Sequence, residues 1–155
     1  SFLNRRRGLL DAVVFSGGEP TMQNGLADAM RQVRELGFAV GLHTGGAYPR
    51  RLVAVLPLVD WIGFDVKATA VKYEAITGKP NSARKAFQAL ELVQAAGVDF
   101  EVRTTVDPTV LTDDDVAEIQ QDLARRGVPF HVVQEVRAEG SRPEYQVVLA
   151  ALREE

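Results

Sequence analysis

Five short apolar runs, separated by stretches of helical period, leave this chain few architectures. The runs lie at 11–15, 38–43, 59–66, 98–106 and 129–134 and are rich in Val, Ile and Phe. Between them, apolar residues recur every three or four positions, the mark of an amphipathic helix. Leu26, Met30, Val33 and Leu36 form one stripe, and Gly37 stands where a helix-ending glycine belongs. Ala86, Leu90 and Val93 form another, with Phe87 alongside and Gly97 after it. Thr112 followed by Asp113, Asp114 and Asp115 reads as an N-cap with acids in the first turn, where the helix dipole favours them. Val116, Ile119 and Leu123 are its expected buried face, closed by Gly127. Tyr145, Val148, Leu149 and Leu152 predict a last helix. Strands alternating with helices imply parallel strands joined by right-handed crossovers. The expected fold class is α/β in a single domain, 1–155. Periodicity alone leaves open whether the sheet is doubly wound or part of a barrel.

Charge and cysteine usage narrow the partners. A net charge of −3 gives no electrostatic case for nucleic acid or an anionic membrane. The only basic run, Arg5-Arg6-Arg7, reads as a solvated segment ahead of the first strand. No apolar stretch reaches membrane-spanning length and no signal peptide is visible, so a cytoplasmic location is expected. With no cysteine, disulfides and thiolate ligands are excluded.

In parallel α/β folds, ligands sit at the C-terminal ends of the strands, and hydrogen-bonding residues recur there. The first run ends in Ser16-Gly17-Gly18-Glu19-Pro20 and the second in His43-Thr44-Gly45-Gly46. The third ends in Asp65-Val66-Lys67, the fourth contains Glu101-Val102-Arg103-Thr104-Thr105, and the fifth ends near Gln134. Two glycines after a strand bring bare backbone near a ligand, or mark a tight turn. His43 reads either as a ligand or as a satisfied histidine. Asp65 and Lys67 share a strand face at i and i+2, as a structural ion pair or as ligand contacts. Arg103 inside a strand must be paired or line a cavity. Trp61 reads as core, and the acids at 113–115 as a helix start. Gly78-Lys79 precedes Pro80 where a phosphate loop needs Ser or Thr, and no G-x-G-x-x-G or G-x-S-x-G is present. His43 and His131 offer no zinc spacing.

The strand ending in Gly17-Gly18-Glu19-Pro20 resembles the methionine-binding motif of the radical S-adenosylmethionine (radical SAM) enzymes. Leu42 to Gly46, Phe64 to Lys67 and Val102 to Pro108 resemble successive strand ends of the glycyl-radical-enzyme activases within that superfamily. Tyr73 to Gly78 fits the helix and turn that follow Asp-x-Lys there, and the nearest likeness is to activases of anaerobic ribonucleotide reductase. The resemblance implies a partial (β/α) barrel that uses S-adenosylmethionine and a 4Fe–4S cluster on a C-x-x-x-C-x-x-C loop. It implies reductive cleavage to methionine and a 5′-deoxyadenosyl radical, which takes a hydrogen from a glycine of the partner. It puts Ser16, Gly17, Gly18, Glu19 and Pro20 around the methionine amino group, and Thr44 and His43 near its carboxylate or the ribose. Asp65, Lys67 and Arg103 would line the cofactor or partner-glycine cavity, and Gln134 the adenine side.

The chain departs from that pattern by lacking the cluster cysteines. It is therefore expected to be roughly the C-terminal two-thirds of such a domain, with the first β/α unit missing and no radical chemistry of its own. Strand 11–15 would then carry an open edge through which copies of the chain self-associate. The competing reading is a cysteine-free α/β binding or scaffold module.

Overall fold

The protein is described by a computed structural model, which covers residues 3–6, 8–137 and 142–152. Five strands form one sheet: β1 (Ala12–Phe15), β2 (Ala39–Thr44), β3 (Trp61–Asp65), β4 (Asp99–Val106) and β5 (His131–Glu135). Each neighbouring pair is parallel, and the spatial order is the chain order, β1-β2-β3-β4-β5. A doubly wound sheet reverses its strand order at a switch point. Here no reversal occurs, and successive right-handed crossovers carry every connection to the same side. The sheet is thus a segment of an open (β/α) barrel, the second of the two architectures left open by the periodicity.

Six helices accompany it: α1 (Leu26–Glu35), α2 (Pro49–Val55), α3 (Tyr73–Thr77), α4 (Ser82–Ala96), α5 (Asp113–Arg125) and α6 (Pro143–Leu152). Short 3₁₀ turns lie at Leu3–Arg6, Pro20–Met22 and Leu56–Leu58. Thr112 and Asp115 close a capping box at the start of α5, as the Thr-Asp-Asp-Asp run predicts. Periodicity missed α2 outright, and it missed α3, which only the family resemblance places. Both are too short to show a repeating stripe, α2 contributing only Leu52 and Val55 to the interior and α3 only Tyr73.

Alternation along the strands separates two unlike faces. Val40, Leu42, Ile62, Phe64 and Val102 are wholly buried against Met30, Leu52, Leu90 and Val93 of the helix layer. Each such side chain contributes roughly 1.5–3 kcal/mol by leaving water. The opposite face holds His43, Trp61, Asp65, Glu101 and Arg103, all half-buried and so partly open to solvent. Two glycines make close packing possible on that face. A Cβ on Gly41 would lie 2.9 Å from Val14, and one on Gly63 2.8 Å from His43 and 3.0 Å from Trp61.

Several expectations need correction. Trp61 lies on the uncovered face, edge-on to the His43 ring at 5.5 Å, and not in the helix-side core. In α5 it is Asp115 that is buried, while Val116 is only half-buried. The last helix forms, but Val147, Val148 and Leu152 are 70%, 48% and 41% exposed, so it contributes little to the core. Arg7 of the basic run and the side chain of Leu149 lie outside what the structure describes.

Candidate functional site

The turn after β1 is shaped by two residues in the left-handed region, Gly17 (φ 90°) and Gly18 (φ 58°). A Cβ at either would meet nothing within 4 Å, so their requirement is conformational and not steric. Glu19 follows, and its carboxylate is heavily used. Oε1 accepts from Thr21 N–H (3.1 Å), Thr21 Oγ1 (2.5 Å) and Thr44 Oγ1 (2.8 Å), while Oε2 accepts from Gly45 N–H (2.9 Å). Pro20 is buried and opens the 3₁₀ turn that Glu19 caps. Arg51 donates to the carbonyl of Met22 at 2.5 Å and holds the far end of that turn.

Glu19 thereby ties the end of β1 to the end of β2. Thr44 is 2% exposed, and its hydroxyl also accepts from Gly46 N–H at 3.1 Å. Its oxygen is committed to the two turns. Gly46 has φ 70° and leaves no room for a side chain, because a Cβ would stand 2.7 Å from both Ala89 and Phe64.

Asp65 and Arg103 are register partners on β3 and β4, and Arg103 Nη2 lies 3.1 Å from Asp65 Oδ1. The ion pair that the i, i+2 spacing allowed for Asp65 therefore goes to Arg103, and Lys67 is not part of it. Arg103 Nε is buried and has no hydrogen-bond partner. Lys67 is exposed, its aliphatic stem beside Gly45, and its backbone N–H donates to the Tyr73 hydroxyl at 3.3 Å. Burial pushes the Tyr73 phenol up to about 12. Gln134 stands at the outer strand and donates to Thr105 Oγ1 at 2.8 Å.

Beside these groups opens a cavity of about 640 Å³, lined among others by Asp65, Lys67, Lys72, Thr105 and Asp107. Its wall is braced by Lys72 Nζ, 2.6 Å from Asp115 Oδ2. The Lys72 hydrogen bond, then the Thr112 N–H, holds the Asp115 carboxyl down to about 2. His43 is held below its ordinary 6.5 first by burial, then by Arg103, with Asp65 and Glu101 opposing. Its ring is thus neutral near pH 7.

Of the residues named from sequence, Gly17, Gly18, Glu19, Thr44, Asp65, Lys67 and Arg103 come together around the ends of β1 to β4. His43 joins them on the uncovered face, and Gln134 stands apart on β5. Glu101 and Thr105, named from sequence only as part of the fourth run and given no ligand role, share that face with Arg103, as their alternation predicts. The arrangement suits a zwitterionic ligand, with the backbone carbonyls of the glycine turn for an ammonium group, and Lys67 and the Asp65-paired Arg103 for a carboxylate. It does not fit an iron–sulfur cluster. The chain has no cysteine, and no cluster of metal-ligating side chains occurs among the described residues.

The family model of the radical SAM superfamily matches residues 3–131. Two proteins of Methanocaldococcus jannaschii, each named as a glycyl-radical enzyme activating enzyme, are similar in sequence. One is 31% identical over 120 residues, covering 73% of this chain and 50% of the relative. The other is 27% identical over 128 residues, covering 79% and 49%. The chain spans about half the length of these curated relatives. Among solved structures, a domain of pyruvate-formate lyase-activating enzyme from Bacteroides vulgatus superimposes with a TM-score of 0.67 at 17% identity, covering 91% of both chains. A structure titled anSMEcpe with bound AdoMet gives 0.69 at 16% identity, covering 92% of this chain and 44% of that one. Both show a shared fold.

Proposed function

The chain belongs to the radical SAM superfamily, and from that premise we propose that it is the S-adenosylmethionine-holding part of an activating enzyme for a glycyl-radical enzyme. The partner in this reading is anaerobic ribonucleotide reductase. The observation that carries it is the convergence of the Glu19-tied turn, Asp65, Lys67 and Arg103 at one end of the uncovered sheet face. Two relatives named as glycyl-radical enzyme activating enzymes support the activase reading, in which the intact enzyme is an oxidoreductase working in the cytoplasm.

In this proposal the peptide groups of Ser16, Gly17 and Gly18 receive the methionine ammonium. Glu19, Pro20 and Thr44 hold that turn in place. Arg103 and Lys67 take the carboxylate, Asp65 orients Arg103, His43 faces the ribose and Gln134 the adenine. With the cofactor and its cluster bound, the chemistry supplied is reductive cleavage to a carbon radical. The cluster ligands would come from outside this chain, which alone would be inactive. Pairing or swapping between copies through the outer edge of β1, unpaired among the described residues, completes the reading. Sedimentation giving a monomer at all concentrations would remove that last element.

Trp61, the chain's single tryptophan, stands on the uncovered face and serves as the reporter. Titration with S-adenosylmethionine is expected to change its emission, and Arg103→Met to weaken binding roughly 10- to 100-fold, the worth of one charged hydrogen bond. No binding by fluorescence or equilibrium dialysis would overturn the cofactor assignment. Reaction assignment is tested with the full-length gene product, reconstituted anaerobically with iron and sulfide. A glycyl-radical signal by electron paramagnetic resonance on ribonucleotide reductase is expected, and its absence there would overturn the partner.

A further inference from the structure

Six of the chain's 18 basic residues are matched by a carboxylate among the described residues. Arg31, Arg34, Lys72, Arg103, Arg125 and Arg126 each pair with an Asp or Glu. One region gathers several unmatched ones. Arg50, Arg51, Arg84 and Lys85 line a concavity of about 480 Å³ with Tyr48 and Gln88, and no acid lines it. Arg51 is spent on the Met22 carbonyl and lies over the Tyr48 ring, while Arg50, Arg84 and Lys85 form no ion pair among the described residues.

The placement runs against local stability. Arg84 and Lys85 stand in the opening turn of α4, where no acid is present and the helix dipole disfavours cations. The concavity also adjoins the ligand end of the sheet, since Ala47, Tyr48 and Pro49 continue directly from Gly45 and Gly46. A macromolecule presenting a segment to that end would lie across this rim.

We propose that this basic concavity docks an acidic segment of the protein partner and steers its approach to the neighbouring site. The inference rests on the reading that the chain acts on a protein. Charge complementarity favours an acidic polypeptide here. With Tyr48 as its one aromatic lining residue, this concavity in a chain of net charge −3 is a poor platform for nucleic acid.

The probe is a fluorescein-labelled hexaglutamate peptide, followed by anisotropy. Expected is binding at low ionic strength that weakens with salt. Arg50→Glu/Arg84→Glu should weaken it about tenfold, and the control Arg31→Glu/Arg125→Glu should leave it unchanged. Arg84→Glu should also raise thermal stability slightly, because it places an acid at the start of α4. If the double reversal fails to fold, Arg50→Gln/Arg84→Gln takes its place. The proposal is overturned if the peptide does not bind, if the variant binds as wild type does, or if only tripolyphosphate or single-stranded DNA competes for these residues. Because the assay uses neither cofactor nor radical, its failure leaves the activase reading standing, and failure of the radical assay leaves the docking surface standing.

Discussion

Glu19→Gln should uncouple the two turns that frame the candidate site, at a magnitude that follows from its bonds. The amide oxygen of Gln can replace Oε1 and keep weaker, neutral bonds to Thr21 and Thr44. Its NH₂ group then faces Gly45 N–H, donor against donor, where Oε2 accepted at 2.9 Å. A bond to a charged group contributes about 1.5–3 kcal/mol, so a net loss of about 2 kcal/mol is expected. For a domain of this size that lowers Tm by roughly 4–8 °C. Glu19→Asp keeps the charge but shortens the reach, and should fall between wild type and Gln. Thermal unfolding gives the global figure, and hydrogen exchange at the Gly45 amide gives the local one. A double-mutant cycle with Thr44→Val should show coupling above about 0.5 kcal/mol, since the two groups touch. A Tm within about 1 °C of wild type, with Gly45 exchange unchanged, would refute the reasoning.

Gly46→Ala combines a left-handed φ with contacts of 2.7 Å to Ala89 and Phe64, and should lose roughly 2–5 kcal/mol or fail to fold. Gly17→Ala has open space around it and should lose only about 1–2 kcal/mol, both read by urea unfolding. Asp60 is held below its ordinary 3.8 first by the Val40 N–H and then by Arg34. Its contribution is therefore present above 3.8 and lost as pH falls through and below it, so Asp60→Asn should be the less stable protein at neutral pH and show a shallower acid loss. Burial holds His43 and His131 below 6.5. Their resonances should titrate below that value, and stability should begin to fall as pH drops under 6.5.

How far the sequence could be read depended on period and length. β4 alternates cleanly over eight residues and α5 carries its own cap, so both were plain. Strand order was not, because periodicity says nothing of which crossover lies beside which. Trp61 was misjudged because a large aromatic suggests a core, whereas here glycines at 41 and 63 let it lie flat on the open face. The polar strand ends pointed to the site, but the role of Glu19 did not follow from them. Its carboxylate faces two turns brought together only by the β1–β2 pairing.

The alternation in β4 has a consequence for folding as well as for ligands. Asp99, Glu101, Arg103 and Thr105 share one face, while Phe100, Val102, Thr104 and Val106 share the other. Sliding β4 by one residue against β3 would turn three charges into the apolar layer beneath the helices, each at a desolvation penalty of several kcal/mol. The residues that equip the open face therefore also proofread the alignment of the sheet. Stripping them to make an inert variant would remove a ligand site and, with it, the chain's guard against mispaired strands.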